Sequence, residues 1–445
     1  MNGRPNSLWR GALAVAGALL LAAAAGASTI TVPNGSSGGT CGTGNANIYQ
    51  FGGSCGSLVS ITDTNPAYVQ DNSPAAEGTY RVRFYANFDG KGAAKQPSAP
   101  PFVTEPVVDL SMASGNAFDF FVAYDGADPA PPAAGGNAII RAELGQSGAN
   151  RTIKFAARLN TGSEASFSHT LSGKALRGWR AIEINWAKAS TPSGSNGVLQ
   201  AWVDGVQVGN LTNLANGNQV VNMVRWGAVA GIDSGTSGTF KLDDFVSQRS
   251  GYIGPAQPFS DNTNTSITYW PFIQSIWAAE IMPGCTTSTF CPTSNIRRDE
   301  MAKFIVLSRL GTDFPAPACT GTIYGDVNAS NPYCGYIEFL TTQGVLSGCG
   351  GGNYCPSFEV DRREMVVFIL ATLVPRPTGC TGMFADVQPG GPHATFCPWI
   401  ELAATSGLTG GCGGGNYCPL NKTARNEMSV FLTQAFGIPK HVVGP

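Results

Sequence analysis

One arginine stands at the same place in each of three copies of a motif in the C-terminal half of the chain. Each arginine lies seven residues after the cysteine of a Cys-Pro pair and two residues before a glutamate. The arginines are Arg298, Arg362 and Arg425, and the glutamates are Glu300, Glu364 and Glu427. A guanidinium near a helix start combines forked donors with a favourable dipole, so arginine at this place is chemically able to bind an anion.

The twelve cysteines fall into six neighbouring pairs. Three pairs enclose five residues each, and this spacing suits neither a zinc site nor a reactive C-x-x-C dithiol. We predict six local disulfides and no metal site. The pairs are Cys41 with Cys55, Cys285 with Cys291, Cys319 with Cys334, Cys349 with Cys355, Cys380 with Cys397, and Cys412 with Cys418.

The composition excludes several classes of protein. Hydrophobic residues reach 43 % and charged residues only 13 %, which favours a folded chain over a disordered one. A net charge of -2 gives no basic surface for nucleic acid. The histidines, His169, His393 and His441, lie far apart in no ligand spacing, so zinc and histidine acid–base chemistry are disfavoured.

The N-terminus predicts export. Arg4 and Arg10 precede an uncharged apolar run that ends in Ala25-Gly26-Ala27. This is typical of a secretory signal peptide over residues 1–27, although a short membrane anchor is the alternative. No other segment is long and apolar enough to span a bilayer, so we expect a secreted protein without a transmembrane helix after cleavage.

The arginine motif belongs to a repeat of 63–64 residues. Each copy is predicted to be a helix, a loop closed by a Cys-x5-Cys disulfide, which we call the stapled loop, and a second helix. Ile273, Ile337 and Ile400 mark the first helices. The pattern resembles the S-layer homology domain. The resemblance rests on Asp326-Val327 and Asp386-Val387, on Gly344 to Gly348 and Gly407 to Gly411, on the Tyr-Cys-Pro of copies two and three, and on the Arg-x-Glu of each copy.

The first copy departs from the pattern. It lacks the opening Asp-Val, has Glu280 where the others have Gly344 and Gly407, and lacks both cysteines of one pair. That joint absence supports the pairing of Cys319 with Cys334 and of Cys380 with Cys397.

The resemblance implies three units around a pseudo-threefold axis, with grooves that bind cell-wall glycans, often pyruvylated or otherwise acidic. It implies that Arg298, Arg362 and Arg425 face the ligand carboxylate. The alternative is that each arginine pairs with its neighbouring glutamate on a solvated surface.

The family's helix cap is also predicted here. Glu300, Glu364 and Glu427 are expected to cap their helices, and Asp361 completes the capping box in copy two only. Arg297 and Ala424 cannot accept the bond, unless Ser294 or Thr423 does so through a shifted boundary. The groove at Arg362, in copy two, is therefore expected to be the best ordered of the three.

The N-terminal half reads as an all-β sandwich. Short alternating stretches lie between Gly, Asn, Ser and Pro turns, and Asp204-Gly205 predicts a type I′ hairpin turn. Residues 67–253 resemble the concanavalin-like, laminin-G-like jelly roll, in which an Asp-Gly hairpin and a final Leu-Asp-Asp-Phe strand recur; here that strand is Leu242 to Phe245. The resemblance implies carbohydrate binding or glycan hydrolysis.

The residues do not favour catalysis. The Glu-x-Asp-x-x-Glu string of hydrolases with this fold is absent, and adjacent Asp243 and Asp244 are expected on opposite faces of a strand. Loop acids such as Asp109, Asp125 and Asp128 could bind calcium but more often form turns. We predict no catalytic residue, no enzyme and no cofactor.

The predicted organisation has eight parts. They are a signal peptide (1–27), a Cys-loop segment (28–66), a β-sandwich (67–253), a linker (254–265), three helical repeats (266–313, 314–375 and 376–437) and a tail (438–445). The predicted function is non-covalent attachment to the cell envelope through wall polysaccharide, displaying a β-sandwich binding domain. The alternatives are a surface-anchored glycan hydrolase or lyase, and a secreted adhesin whose repeats bind protein.

The first testable prediction concerns the cysteines. The mature protein is expected to contain no free thiol and six local disulfides, because nearest-neighbour pairing accounts for all twelve cysteines. Peptide mapping under non-reducing conditions checks this, and a disulfide that joins two different repeats would contradict it.

Overall fold

The computed structural model describes residues 29–31, 57–72, 74–88, 110–126, 137–176, 178–262, 268–311, 314 and 317–442. The predicted signal peptide, Cys41 and Cys55, Asp109 and Asp128 lie outside these residues. The described chain divides into two units. The first holds the residues up to Ala256 together with His441 and Val442, and the second runs from Gln257 to Lys440.

The first unit is a sandwich of two antiparallel sheets, as predicted. Its larger sheet has the order β1-β2-β13-β4-β9-β10-β11 in the described part of the chain. These strands are β1 Thr29–Thr31, β2 Ser57–Ile61, β4 Thr79–Asn87, β9 Arg180–Ala187, β10 Gly197–Val203, β11 Val206–Leu214 and β13 Gly238–Gln248.

The second sheet has the order β3-β12-β5-β6-β7-β8. Its strands are β3 Ala67–Asp71, β5 Ala117–Tyr124, β6 Ala138–Ser147, β7 Asn150–Arg158, β8 Glu164–Leu171 and β12 Met223–Ala230. Alternate residues of both sheets meet in one core, where Phe84 stacks on Phe121 and touches Trp226. Burial of these large rings stabilises the unit.

The predicted hairpin turn between β10 and β11 is present. Asp204 and Gly205 have φ of 53° and 83°, the two positive values that a type I′ turn requires. The C-terminal residues pack onto this turn, because Val442 N donates to Asp204 O at 2.8 Å. A Cβ on Gly205 would lie 1.8 Å from Val442 O, so only glycine fits.

His441 is fully buried beside the same turn. Its Nε2 lies 3.1 Å from Asp204 Oδ1, and Arg180 Nη1 donates to Asp204 Oδ2 at 2.7 Å. Ile438 is buried in the core of the helical unit. The predicted tail over 438–445 therefore includes buried residues, Ile438 in the helical unit and His441 in the sandwich unit.

The second unit contains six helices in its described residues, two in each repeat. They are α1 Trp270–Ala278, α2 Arg298–Leu310, α3 Cys334–Thr342, α4 Arg362–Leu370, α5 Cys397–Thr405 and α6 Arg425–Phe436. Ile273, Ile337 and Ile400 are fully buried in their shared core. The prediction of a helix, a stapled loop and a helix in each copy is confirmed.

Five of the predicted disulfides are present, and the described residues include no free cysteine. They join Cys285 to Cys291, Cys319 to Cys334, Cys349 to Cys355, Cys380 to Cys397 and Cys412 to Cys418. The sixth disulfide, predicted to join Cys41 to Cys55, lies outside the described residues and stays a prediction.

The first helix of each repeat is followed by a left-handed residue. Gly344 and Gly407 have φ of 70° and 73°, and Glu280 has φ of 58° at the matching place in the first copy. The sequence departure at Glu280 thus keeps the backbone turn, at the steric cost of a Cβ in the left-handed region.

The first repeat begins earlier than predicted. Asp261 accepts hydrogen bonds from the backbone N–H groups of Phe290 and Cys291, both at 2.8 Å. Asp326 does the same for Tyr354 and Cys355, and Asp386 for Tyr417 and Cys418. Phe259 is buried in the helical core. Phe259 to Asn262 is therefore the opening motif of copy one, and the predicted linker over 254–265 is wrong at these residues.

The aspartate before each stapled loop gives the second testable prediction. Asp261→Ala should lower the free energy of unfolding of the helical unit by about 2–3 kcal/mol, because two backbone donors lose a charged acceptor. Ser260→Ala is the matched control, since its hydroxyl makes one exposed bond to Ser288 O. Denaturant unfolding of both variants checks this, and equal small losses would refute it.

The third prediction concerns acid. Burial lowers the pKa of His441 to about 4, although the Asp204 carboxylate acts in the opposite direction. The unfolded chain binds this proton near pH ~6.5, so the stability that depends on neutral His441 is present above that pH and declines as pH falls towards 4. Between about pH 7 and pH 5 the wild type should lose about 2 kcal/mol more than His441→Gln. Thermal unfolding at both pH values measures this, and parallel losses in the two proteins would exclude it.

Candidate functional site

The three repeats of the helical unit close into a ring. The second helix of each repeat packs on the first helix of the next, so that α2 contacts α3, α4 contacts α5, and α6 contacts α1. Three backbone bonds complete the ring: Ile296 N donates to Thr423 O at 3.0 Å, Thr423 N to Val360 O at 2.9 Å, and Val360 N to Ile296 O at 2.9 Å. We call the contacts the first junction (Arg298 with repeat two), the second junction (Arg362 with repeat three) and the third junction (Arg425 with repeat one).

Each arginine reaches across its junction into the next repeat. Its Nε donates to the carbonyl oxygen of the aromatic residue before a cysteine; the acceptors are Tyr354 (3.0 Å), Tyr417 (3.2 Å) and Phe290 (2.8 Å). Its Nη2 donates to the carbonyl oxygen of Ser347, Gly410 or Pro283. The guanidinium carbon lies 4.7–4.8 Å from the centre of the same aromatic ring, a cation–π distance.

The helix N-termini at these junctions are already occupied. The backbone N–H groups of Arg298, Arg362 and Arg425 donate at 2.9 Å to carbonyl oxygens of the next repeat, those of Phe358, Asn421 and Ser294. The following N–H groups donate to Pro356, Pro419 and Pro292. The next repeat therefore takes these amides, and they are not available to an anion.

The third guanidinium donor, Nη1, differs between the junctions. Arg298 Nη1 donates to Glu364 Oε1 at 2.8 Å, and Arg362 Nη1 lies 3.9 Å from Glu427 Oε1. Among the described residues, Arg425 has no carboxylate within ion-pair distance. Burial lowers the pKa of Arg425, while the carboxylates of Glu300 and Asp261, beyond ion-pair distance, act to raise it.

The alternative of an arginine paired with its own glutamate on a solvated surface is wrong. Arg298 pairs with Glu364 and Arg362 lies nearest Glu427, both in the next repeat, and Arg298 and Arg425 are only 3 % and 6 % exposed. The sequence gives no sign of this, because Arg298 and Glu364, 66 positions apart, come together only when the ring closes. The role of the three arginines in ligand binding stays a prediction.

The glutamates lie at the helix starts. Each accepts from the backbone N–H of the residue before its helix, at 3.1 Å for Glu300, 3.4 Å for Glu364 and 3.0 Å for Glu427. Asp361 Oδ1 accepts from Glu364 N at 3.0 Å.

In the other two helices the second helical residue supplies the acceptor that the residue before the helix lacks. Asp299 Oδ1 accepts from Glu300 N at 2.8 Å, and Asn426 Oδ1 accepts from Glu427 N at 2.7 Å. The helix starts are not shifted, so the suggestion that Ser294 or Thr423 takes over is wrong.

Two buried glutamates hold the loops before the stapled segments. Glu338 accepts from the backbone N–H groups of Thr320, Gly321 and Thr322, and Glu401 accepts from Thr381 and Met383. Burial opposes their ionisation, but these hydrogen bonds outweigh it and hold the pKa of both carboxyls below the ordinary value. The sulfurs of Cys319 and Cys334 lie near Glu338, and those of Cys380 and Cys397 lie near Glu401. All four sulfurs are in disulfides, so neither group of residues offers a free thiolate to a metal ion.

The sandwich brings together carboxylates that the sequence keeps apart. Asp119 and Glu143 lie opposite each other on β5 and β6, and Arg141 bridges them at 3.0 and 3.1 Å. Arg141 also contacts Glu164 on β8 at 2.9 Å. Burial raises the pKa of Asp119 to about 6, although Arg141 opposes this. No local string could reveal this cluster, because it is spread over three strands.

The other sandwich acids are used structurally. Asp244 has φ of 49° in a bulge of β13, and its carboxylate bonds Arg83 Nη1 at 2.6 Å. Simple alternation therefore does not apply to Asp243 and Asp244. Asp125 accepts from Val220 N and from the Asn222 side-chain amide, both at 3.2 Å, as a turn residue does.

No family model matches the chain. A 110-residue stretch is 27 % identical to an endoglucanase of Bacillus sp. strain KSM-635 and covers 25 % of this chain but only 11 % of that protein.

The chain is also similar in part to solved structures. A glucuronan lyase of Trichoderma reesei is 14 % identical, with a TM-score of 0.33 over 50 % of this chain and 87 % of that one. The ligand-binding domain of botulinum neurotoxin serotype D, in complex with N-acetylneuraminic acid, is 10 % identical, with a TM-score of 0.27 over 51 % of this chain and 43 % of that one.

Proposed function

We propose that the helical unit is a glycan-binding module of the S-layer homology type, and that it attaches an exported protein non-covalently to the cell envelope. The observation that carries the proposal is the threefold repetition of one arrangement, in which a guanidinium stacks on an aromatic ring and projects Nη1 away from two backbone bonds. The ligand is wall polysaccharide that carries acidic groups.

The covalent chemistry of the chain supports this location. Five disulfides lie between Cys285 and Cys418, and disulfides persist in oxidising compartments outside the cytoplasm. Among the described residues no helix is long and apolar enough to cross a membrane. Attachment through glycan is the proposed means by which the protein stays at the surface.

The β-sandwich is proposed to be the displayed domain, with binding rather than catalysis as its role. Arg141 separates Asp119 from Glu143, so these acids form an ion-pair network rather than the open carboxylate pair of a glycosidase. The second candidate function, a surface-anchored glycan hydrolase, is favoured by the raised pKa of Asp119, which suits a general acid.

Sacculus binding tests the main proposal. The mature full-length protein should co-sediment with isolated cell-wall sacculi, and stripping their non-peptidoglycan glycans should abolish binding, because the ligand is polysaccharide. A pull-down measured before and after stripping gives both values. Equal binding to stripped sacculi, or binding that protease treatment of the sacculi removes, would instead indicate a protein partner and an adhesin.

The hydrolase candidate has its own test. The full-length protein should release no reducing sugar from a panel of glycans above the background of an Asp119→Asn variant. Release by the wild type that this substitution reduces about a hundredfold or more would make Asp119 a general acid and overturn the assignment of a binding domain.

A further inference from the structure

We propose that the third junction, where Arg425 meets the first repeat, binds the carboxylate of an acidic sugar, and that Glu364 and Glu427 disfavour such a ligand at the other two. This inference rests on the proposed function and adds which junction takes the acidic group.

The three junctions differ in the partners of their guanidinium donors. At every junction Nε and Nη2 are bonded to backbone carbonyl oxygens of the next repeat. Among the guanidinium donors, Nη1 is the one whose partner differs between the junctions. At the first junction it is bonded to Glu364, and at the second Glu427 stands 3.9 Å away. At the third, Nη1 makes no hydrogen bond with a described residue.

The junctions also differ in whether a carboxylate compensates the charge of the arginine. Arg425 is 6 % exposed and has lost most of its hydration, yet no carboxylate of the described residues contacts it. Glu300, the counterpart of Glu364, caps its own helix through Arg297 N as Glu364 does through Asp361 N, but its carboxylate lies outside ion-pair distance of Arg425. A buried cation that lacks a counterion gains more from an incoming carboxylate than one already paired, because no existing ion pair has to be broken.

The surroundings of the arginine differ between the junctions as well. Tyr354 and Tyr417 each donate their hydroxyl to the carbonyl oxygen of the arginine they support, at 2.9 and 3.0 Å. Phe290 has no hydroxyl, and the Arg425 carbonyl accepts from Ser429 on its own helix at 2.8 Å. The stapled loop beside Phe290 carries Thr and Ser where the other two carry three glycines. The third junction therefore differs from the others in its ring and its loop as well as in its charge.

Matched arginine variants test the inference in the full-length protein. Arg425→Lys and Arg298→Lys each lose the same fork and the same carbonyl bonds, and Arg298→Lys also disturbs the contact with Glu364, so the structural cost at Arg298 is at least as large. The probes are methyl β-D-glucuronide, with methyl β-D-glucoside as the neutral control, and intact sacculi. Arg425→Lys should weaken glucuronide and sacculus binding about tenfold, and Arg298→Lys less than about twofold, with thermal unfolding confirming that both are folded.

A variant of Glu364 tests the inference without removing an arginine. Glu364→Gln keeps an acceptor for Asp361 N and Arg298 but removes the negative charge, so glucuronide binding should increase about threefold. If the wild type binds sacculi but Arg298→Lys loses as much as Arg425→Lys, or Glu364→Gln gains nothing, the inference is wrong and the proposed function stands. If the wild type binds neither sacculi nor glucuronide, both are wrong.

Discussion

The helical unit depends on one interaction repeated three times: the second helix of each repeat begins inside the next repeat. Backbone N–H groups at the start of a helix have no partner within it, and they need acceptors when they are buried. Here carbonyl oxygens of the neighbouring repeat supply those acceptors, while the arginine at the same position adds two more bonds to that neighbour. No repeat is therefore complete alone, and the ring has to close.

This dependence explains how short helices form a stable unit. Several helices here have only nine residues, a length that is marginal in isolation. The disulfides and the aspartates Asp261, Asp326 and Asp386 fix the loops that carry the acceptor carbonyls. The proposed ligand donor, Nη1 of Arg425, thus belongs to an arginine that the structure already needs for its two backbone bonds to the next repeat.

Much of the fold could be predicted from the sequence, because the patterns that indicate it are local. The spacing of the cysteines, the helical periodicity and the Asp204-Gly205 turn each report contacts between residues close in the chain. The partner of Arg298 could not be predicted in this way, since Glu364 becomes its neighbour only through ring closure. The opening motif of the first repeat was hidden because Asn262 stands where the other copies have valine, although Asp261 makes the same two bonds. The Asp119 and Glu143 pair could not be predicted either, because the two residues become neighbours only through the register of β5 on β6.

Hydrogen exchange of the full-length Arg298→Ala protein tests the closed ring most directly. Arg298 lies at the first junction, yet a ring that closes cooperatively should transmit its loss to all repeats. We predict that amides in α1, α3 and α5 exchange faster by a similar factor, about thirtyfold for a loss of about 2 kcal/mol. Faster exchange confined to α3, with α1 and α5 as protected as in the wild type, would show that the repeats are stable separately and contradict the account.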